Sequence, residues 1–160
     1  MTKEQDDKFE LYGCASRCLI ALANARGDKL TKAEFIDKYA PKYWVNDNRC
    51  GIFSRLGIAE VAIDLQLAST VEETNDFARV REAIKNKSIR AIFVITEKRK
   101  EEDGTLIEYH HCTIVNAFEL RGEDFQYLMD VDYISGHASG PYIAESDIAP
   151  LIPTFLLFHH

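Results

Sequence analysis

The spacing of apolar and polar positions changes about halfway along this chain. From Gly13 the run "CASRCLIALANARG" places apolar residues at Cys14, Cys18, Leu22 and Ala25 and stops at Gly27. That spacing predicts a helix with one buried face, ended by a glycine. "TKAEFIDKYAPKYW" predicts a second helix, with Thr31 and Glu34 spaced as a capping box and Pro41 expected to end it. "NRCGIFSRLGIAEVAIDLQLA" reads as an extended or turn-like piece followed by a third helix around Ile58 to Leu67, and "NDFARVREAIKNK" as a fourth, amphipathic through Phe77, Val80 and Ile84. Beyond it, "IRAIFVIT", "EYHHCTIVNAF", "FQYLMDVDY" and "TFLLF" are short runs rich in β-branched and aromatic residues. Turn-forming residues at Gly104, Gly122 and Gly136 to Pro141 separate them, so they predict strands. Helices first and strands second predict an α+β fold over residues 1–160, one domain with an N-terminal helical half packed on a C-terminal antiparallel β-sheet.

One hairpin can be read in register. If "ELRGED" is a tight turn pairing Leu120 with Glu123, then Phe118 faces Phe125, Ile114 faces Met129 and Cys112 faces Val131, an apolar side almost throughout. The other side then sets His111 opposite Asp132 and Thr113 opposite Asp130. A slip of one residue would exchange the faces, which favours His111 over His110 as the histidine that meets an aspartate. The charged "EKRKEEDGTLIE" is expected to be a solvated hairpin connection rather than a substrate flap.

Composition narrows the function. The chain has 160 residues, 46% apolar and 28% charged, the balance of an ordinary globular domain. Its formal net charge of -7 and the absence of any long basic run argue against nucleic acid or an anionic membrane surface as a partner. No stretch approaches the roughly 20 apolar residues of a membrane helix. The polar start "MTKEQDDKFE" is unlike a signal peptide, so a cytoplasmic protein is expected, leaderless export aside. Four cysteines, Cys14, Cys18, Cys50 and Cys112, are too few and too irregular for a disulfide framework, and reduced thiols are expected. His159 and His160 end the chain and carry no functional argument.

A thiol attacks as thiolate, and a helix N-terminus or an imidazolium lowers its pKa. Cys14 opens the first expected helix, where unpaired N–H groups and the helix dipole favour the thiolate. An imidazole such as His111 taking the thiol proton would need a third group to fix its tautomer, a role open to Asp130 or Asp132.

In order along nearly the whole chain, "GCASRCLIALANARG", "CGIFSRLGIAEVAIDLQL", "IRAIFVIT", "HHCTIVNAFEL", "FQYLMDVDYISG" and "YIAESDIAPLIPTFLLF" follow a known pattern. It resembles the papain-like cysteine peptidases, in particular the bacterial bacteriocin-processing peptidases that remove double-glycine leaders, and their stand-alone relatives. The resemblance implies a papain-like fold and a peptide or protein substrate cut through a thioester, without cofactor or metal. It makes Cys14 the nucleophile, His111 the general base and acid, and Asp130 the orienting residue. Cys18, His110 and Asp132 are the alternates. Gly13 stands where the family has Asp, Ala15 where it has Gly, and Val131 where it has Pro. The family's oxyanion Gln is replaced by Lys8, and Gln5 takes that role only if the N-terminal segment folds back.

Other readings use the same residues. The triad also serves deamidases, transglutaminase-like enzymes and acyltransferases, and an inactive relative would bind a peptide without cutting it. A zinc module would draw on the C-x₃-C pair Cys14 and Cys18 with Cys50, His110, His111 and Cys112, although no second close cysteine pair exists. Taken alone, Cys14 and Cys18 one turn apart on an apolar face read as packing, Cys50 and Cys112 as core, and Trp44 with Tyr39 and Tyr43 as helix-end packing. The oligomeric state is left open by the sequence.

Overall fold

A computed structural model describes residues 1–44, 54–86, 88–102, 105–129 and 142–160. Helices α1 (Lys3–Tyr12), α2 (Cys14–Ala25), α3 (Lys32–Tyr43) and α4 (Arg55–Asp64) come first. Strand β1 (Thr70–Thr74), helix α5 (Phe77–Lys85) and strands β2 (Ile89–Glu102), β3 (Thr105–Arg121) and β4 (Asp124–Met129) follow. Strand β5 (Tyr142–Ala144), the short helix α6 (Glu145–Ile148), a 3₁₀ turn over Ala149–Leu151 and strand β6 (Thr154–His159) complete the order. The six strands form one sheet in the order β1-β6-β2-β3-β4-β5, every adjacent pair antiparallel. The mixed helix and antiparallel sheet is the expected α+β class. Among the described residues no helix is long and apolar enough to cross a membrane.

Helix ends follow local chemistry. Thr2 caps α1 and Thr31 caps α3, each in a full capping box with the residue three on, Gln5 or Glu34. Ser54 accepts the Gly57 N–H to start α4, three residues before the expected Ile58, and Asp76 accepts the Ala78 N–H to start α5. Pro41 does not end α3 but lies inside its last turn, and the helix runs on to Tyr43. A proline this close to a helix end removes one N–H while leaving few later bonds to disturb. Trp44 caps the end of α3 and packs on the core, as its helix-end position suggests.

Both faces of the sheet are buried, so the helices are not confined to one side. Ala91, Phe93 and Ile95 of β2, Cys112 and Ile114 of β3, and Leu156 and Phe158 of β6 pack with Leu19, Phe35, Ile58 and Val61 of α2, α3 and α4. The alternate residues Ile92, Val94, Val115, Phe155 and Leu157 pack with Val80 and Ala83 of α5 and Ile148 of α6. Strict alternation with two apolar sets is how a strand covered on both sides must read.

The β3–β4 hairpin is shifted from the register read in the sequence. Its two-residue loop is Gly122–Glu123, closed by Arg121↔Asp124, rather than Arg121–Gly122. Gly122 adopts φ 64° at the first central position, the left-handed geometry that a type II′ turn gives to glycine. Phe118 therefore faces Tyr127, not Phe125. A bulge then leaves Asn116 unpaired in the ladder, and Met129 faces Val115 rather than Ile114. The expected partners of His111, Cys112 and Thr113, namely Asp132, Val131 and Asp130, lie outside the described residues. Of "EKRKEEDGTLIE", residues 97–102 belong to β2 and residues 105–108 to β3, with Glu102↔Thr105 as the last described pair.

Candidate active site

Cys14 is the first residue of α2, and its position is set by the junction with α1. Gly13 joins the two helices, its N–H donating to the Phe9 carbonyl at 2.8 Å while its own carbonyl accepts from the Arg17 N–H at 2.8 Å. A Cβ at Gly13 would stand 2.2 Å from the Phe9 oxygen, so this turn has room only for glycine. Arg17 of α2 reaches back to Glu10 of α1 at 2.9 Å, and Lys32 of α3 meets Glu10 at 2.7 Å. Both cations lie over the Phe9 ring, at 5.4 and 5.0 Å from its centroid. These contacts lock the start of α2 against its neighbours.

The helix start differs from those of α1, α3, α4 and α5 in having no side-chain cap. Its first N–H groups are left for something other than a side chain, and their partial positive charge bears on the half-buried Cys14.

Helix α2 packs on β3, and there Cys14 meets His111 and Cys112. The Cys14 thiol is held well below its ordinary range, first because the Cys112 thiol donates a hydrogen bond to it. Burial pushes the other way, and hydrogen bonding and charge attraction from the His111 imidazole, with a backbone bond from Cys112, complete the lowering. His111 pairs with Thr96 and Cys112 with Ile95 across β2, and both lie beyond Val115, where the described pairing with β4 stops. His111 is half-buried, and its buried Nε2 atom has no hydrogen-bond partner among the described residues. An orphaned ring nitrogen in such a place is open to an acceptor that would fix the tautomer.

Of the residues singled out in the sequence, Cys14 and His111 are the two that interact here. Cys112, read from sequence as core, is both fully buried and in contact with Cys14. Its position next to His111 was the one signal that pointed to it. Cys18 is fully buried and its Sγ donates to the Cys112 carbonyl at 3.9 Å, a packing role. Gln5 is spent elsewhere: its Oε1 accepts the Thr2 N–H at 2.9 Å in the exposed capping box of α1. Lys8 is also on α1, beside Glu4 at 3.9 Å. Asp130, Asp132, Cys50 and the side chain of His110 lie outside the described residues. Among the described residues no group of three or more His, Cys, Asp or Glu is arranged to hold a metal ion. His159, set aside in the sequence, closes β6 and meets Glu72 at 3.0 Å.

No protein-family model, no curated protein and no solved structure matches the chain.

Proposed function

We propose that this protein is a thiol-dependent hydrolase with a papain-like arrangement, cleaving a peptide or amide bond through a thioester on Cys14. The observation that carries this reading is the contact of Cys14 with His111 at a helix start that no side chain caps. A thiolate paired with an imidazolium is a ready nucleophile at neutral pH. The Cys14 sulfur attacks the carbonyl carbon, and the oxyanion formed is stabilised by backbone N–H groups at the start of α2. His111 gives its proton to the leaving amine as the C–N bond breaks. It then takes a proton from water, whose oxygen attacks the thioester and releases the acid. Asp130 is assigned to orient His111 through the orphaned Nε2, with Asp132 as the alternate. The backbone must carry the oxyanion without a Gln side chain, since Gln5 is committed to the α1 cap. Deamidation and acyl transfer differ only in the leaving group and the acceptor, and the same residues would serve them.

The test is the rate of Cys14 alkylation by iodoacetamide from pH 4 to 9, read by mass spectrometry. Because the thiol pKa is lowered in the fold, wild-type labelling is expected to persist well below the free-thiol range of about 8.5 and to fall only as pH drops through the depressed value. His111→Ala is expected to raise the midpoint, costing up to about tenfold in rate at pH 6 for each unit moved. Ordinary reactivity in both proteins would leave an inactive peptide-binding domain.

A further inference from the structure

The sheet is parted along one seam. Strands β2 and β3 pair from Phe93↔Ile114 outward to Glu102↔Thr105, while β2 pairs with β6 from Ile89 on and β3 leaves its Asn116 bulge to pair with β4. Among the described residues, Ala91 and Ile92 therefore have a strand neighbour on the β6 side only. Successive residues of a strand turn their N–H and C=O groups to alternate sides, so one of these two presents both groups to the seam. On the facing wall Asn116, skipped by the β4 ladder, is exposed. A cavity of about 120 Å³ lies in the seam. Leu22, Ala91 and Ile114, which pack in the core under α2, line it together with Ala83, Ile92 and Val115 of the core under α5. One cavity can reach both cores only where the ladder between them is open. We propose that this seam is a binding site for an extended peptide, with a neutral aliphatic side chain in the cavity and the flanking main chain paired to the open edge of β2.

Charge, size and hydrogen bonding select that occupant. None of the lining residues is charged, so an ionised group would lose its hydration there without meeting a counter-charge. The cavity is smaller than the roughly 150 Å³ that admits benzene, which leaves room for an aliphatic side chain and not for an aromatic ring. The polar groups on its walls are main-chain donors and acceptors with the Asn116 amide, a set that a peptide backbone satisfies and a hydrocarbon does not. Where a strand is added to a sheet edge, backbone pairing supplies the affinity and the pocket the choice of side chain. The edge strands β1 and β5 of a second copy offer no such side chain, since Val71 and Ile143 already pack in its own core. Thr96, the partner of His111, lies four residues beyond Ile92, about 13 Å by strand rise, so the seam is separate from the proposed nucleophile.

The probe is the blocked peptide acetyl-Thr-Thr-Leu-Thr-Thr-amide, titrated into the isotopically labelled full chain while the backbone amides are followed by NMR. The expected result is a saturable shift of the Ala91, Ile92 and Asn116 amides by about 10 mM peptide. Binding is expected to weaken at least about tenfold when the central Leu is replaced by Asp or Phe, or when the amide nitrogens beside it are methylated. Ile84→Phe, which fills the cavity from α5, is expected to cost about as much, as is Ala83→Val should the first fail to fold. No shift at that concentration, equal binding of the Asp or the methylated peptide, or shifts centred on Cys14 and His111 instead would each overturn the proposal. Isobutyramide binding as tightly as the peptide would make the seam a small-ligand pocket, and the same shifts on concentrating the protein alone would make a second copy the occupant; either overturns the peptide. Because the readout is binding at the seam, loss of the proposed hydrolase leaves the site standing, and loss of the site leaves the chemistry of Cys14 untouched.

Discussion

Two polar clusters lie against the same sheet, and they are built on opposite principles. On the α5 side, Arg81 donates to the Tyr127 hydroxyl at 2.8 Å and meets Glu145 at 2.5 Å, while the Tyr127 hydroxyl donates to Glu145 at 2.5 Å. The guanidinium also lies 3.9 Å above the Phe125 ring centroid. Burial, then the Glu145 carboxylate, push the Tyr127 hydroxyl above its ordinary range, so it stays neutral and donates. Every member of that cluster is paired. At the start of α2, Cys14 is drawn toward its charged form, the buried Nε2 of His111 has no hydrogen-bond partner among the described residues, and the helix start has no side-chain cap. A buried polar group without a partner costs stability, so a completed network reads as structure and an incomplete one as a place held open for chemistry.

The contrast can be broken most decisively at Cys14. Cys14→Ala is expected to cut the release of p-nitrophenolate from p-nitrophenyl acetate by at least on the order of 10³-fold, with the thermal unfolding midpoint little changed. Retention of the rate would remove Cys14 as nucleophile. Gly13→Ala is next: a Cβ 2.2 Å from the Phe9 oxygen forces the α1–α2 turn apart. A loss of about 1–3 kcal/mol in urea unfolding is expected, together with slower Cys14 alkylation at pH 6. Equal alkylation in a destabilised protein would show that the turn does not position the thiol. Arg81→Ala sharpens the other side. Removing the cation that joins Tyr127 and Glu145 should lower unfolding free energy by about 2 kcal/mol and leave the rate of Cys14 alkylation unchanged. A change in alkylation there would mean that the two clusters are coupled through the sheet. The smallest effect belongs to Ser54→Ala, which strips a side-chain cap from α4 and is expected to lower urea stability by about 1 kcal/mol while sparing the thiol.

Much of this was legible along the chain, and the failures have identifiable causes. The α2 and α5 helices stand where their apolar spacing put them, and Thr31 and Glu34 do form a capping box. Helix α1 went unread because its exposed residues show no apolar stripe, although Thr2 and Gln5 have capping-box spacing. Strands β1 and β5 are five and three residues long, and Thr70–Thr74 pairs only with β6, too little for a period of two to stand out. The hairpin register failed through one glycine and one bulge. Gly122 took the first loop position, and Asn116 absorbed an extra residue that no spacing rule announces. Cys112 was read correctly as buried, but its contact with Cys14 was not.

What the sequence determined by itself was local: which segments are helical, where caps stop them, which strand residues alternate, and that Cys14 opens a helix. Those features depend on residues a few positions apart, whose geometry the backbone imposes. Only the tertiary structure decided that helices cover both faces of the sheet and that Cys14 interacts with residues 111 and 112. It also decided that Gln5 is occupied at α1 while Nε2 of His111 has no partner among the described residues. Such facts join positions about a hundred residues apart in the chain, and the packing that brings them together has no period in the sequence from which to read it.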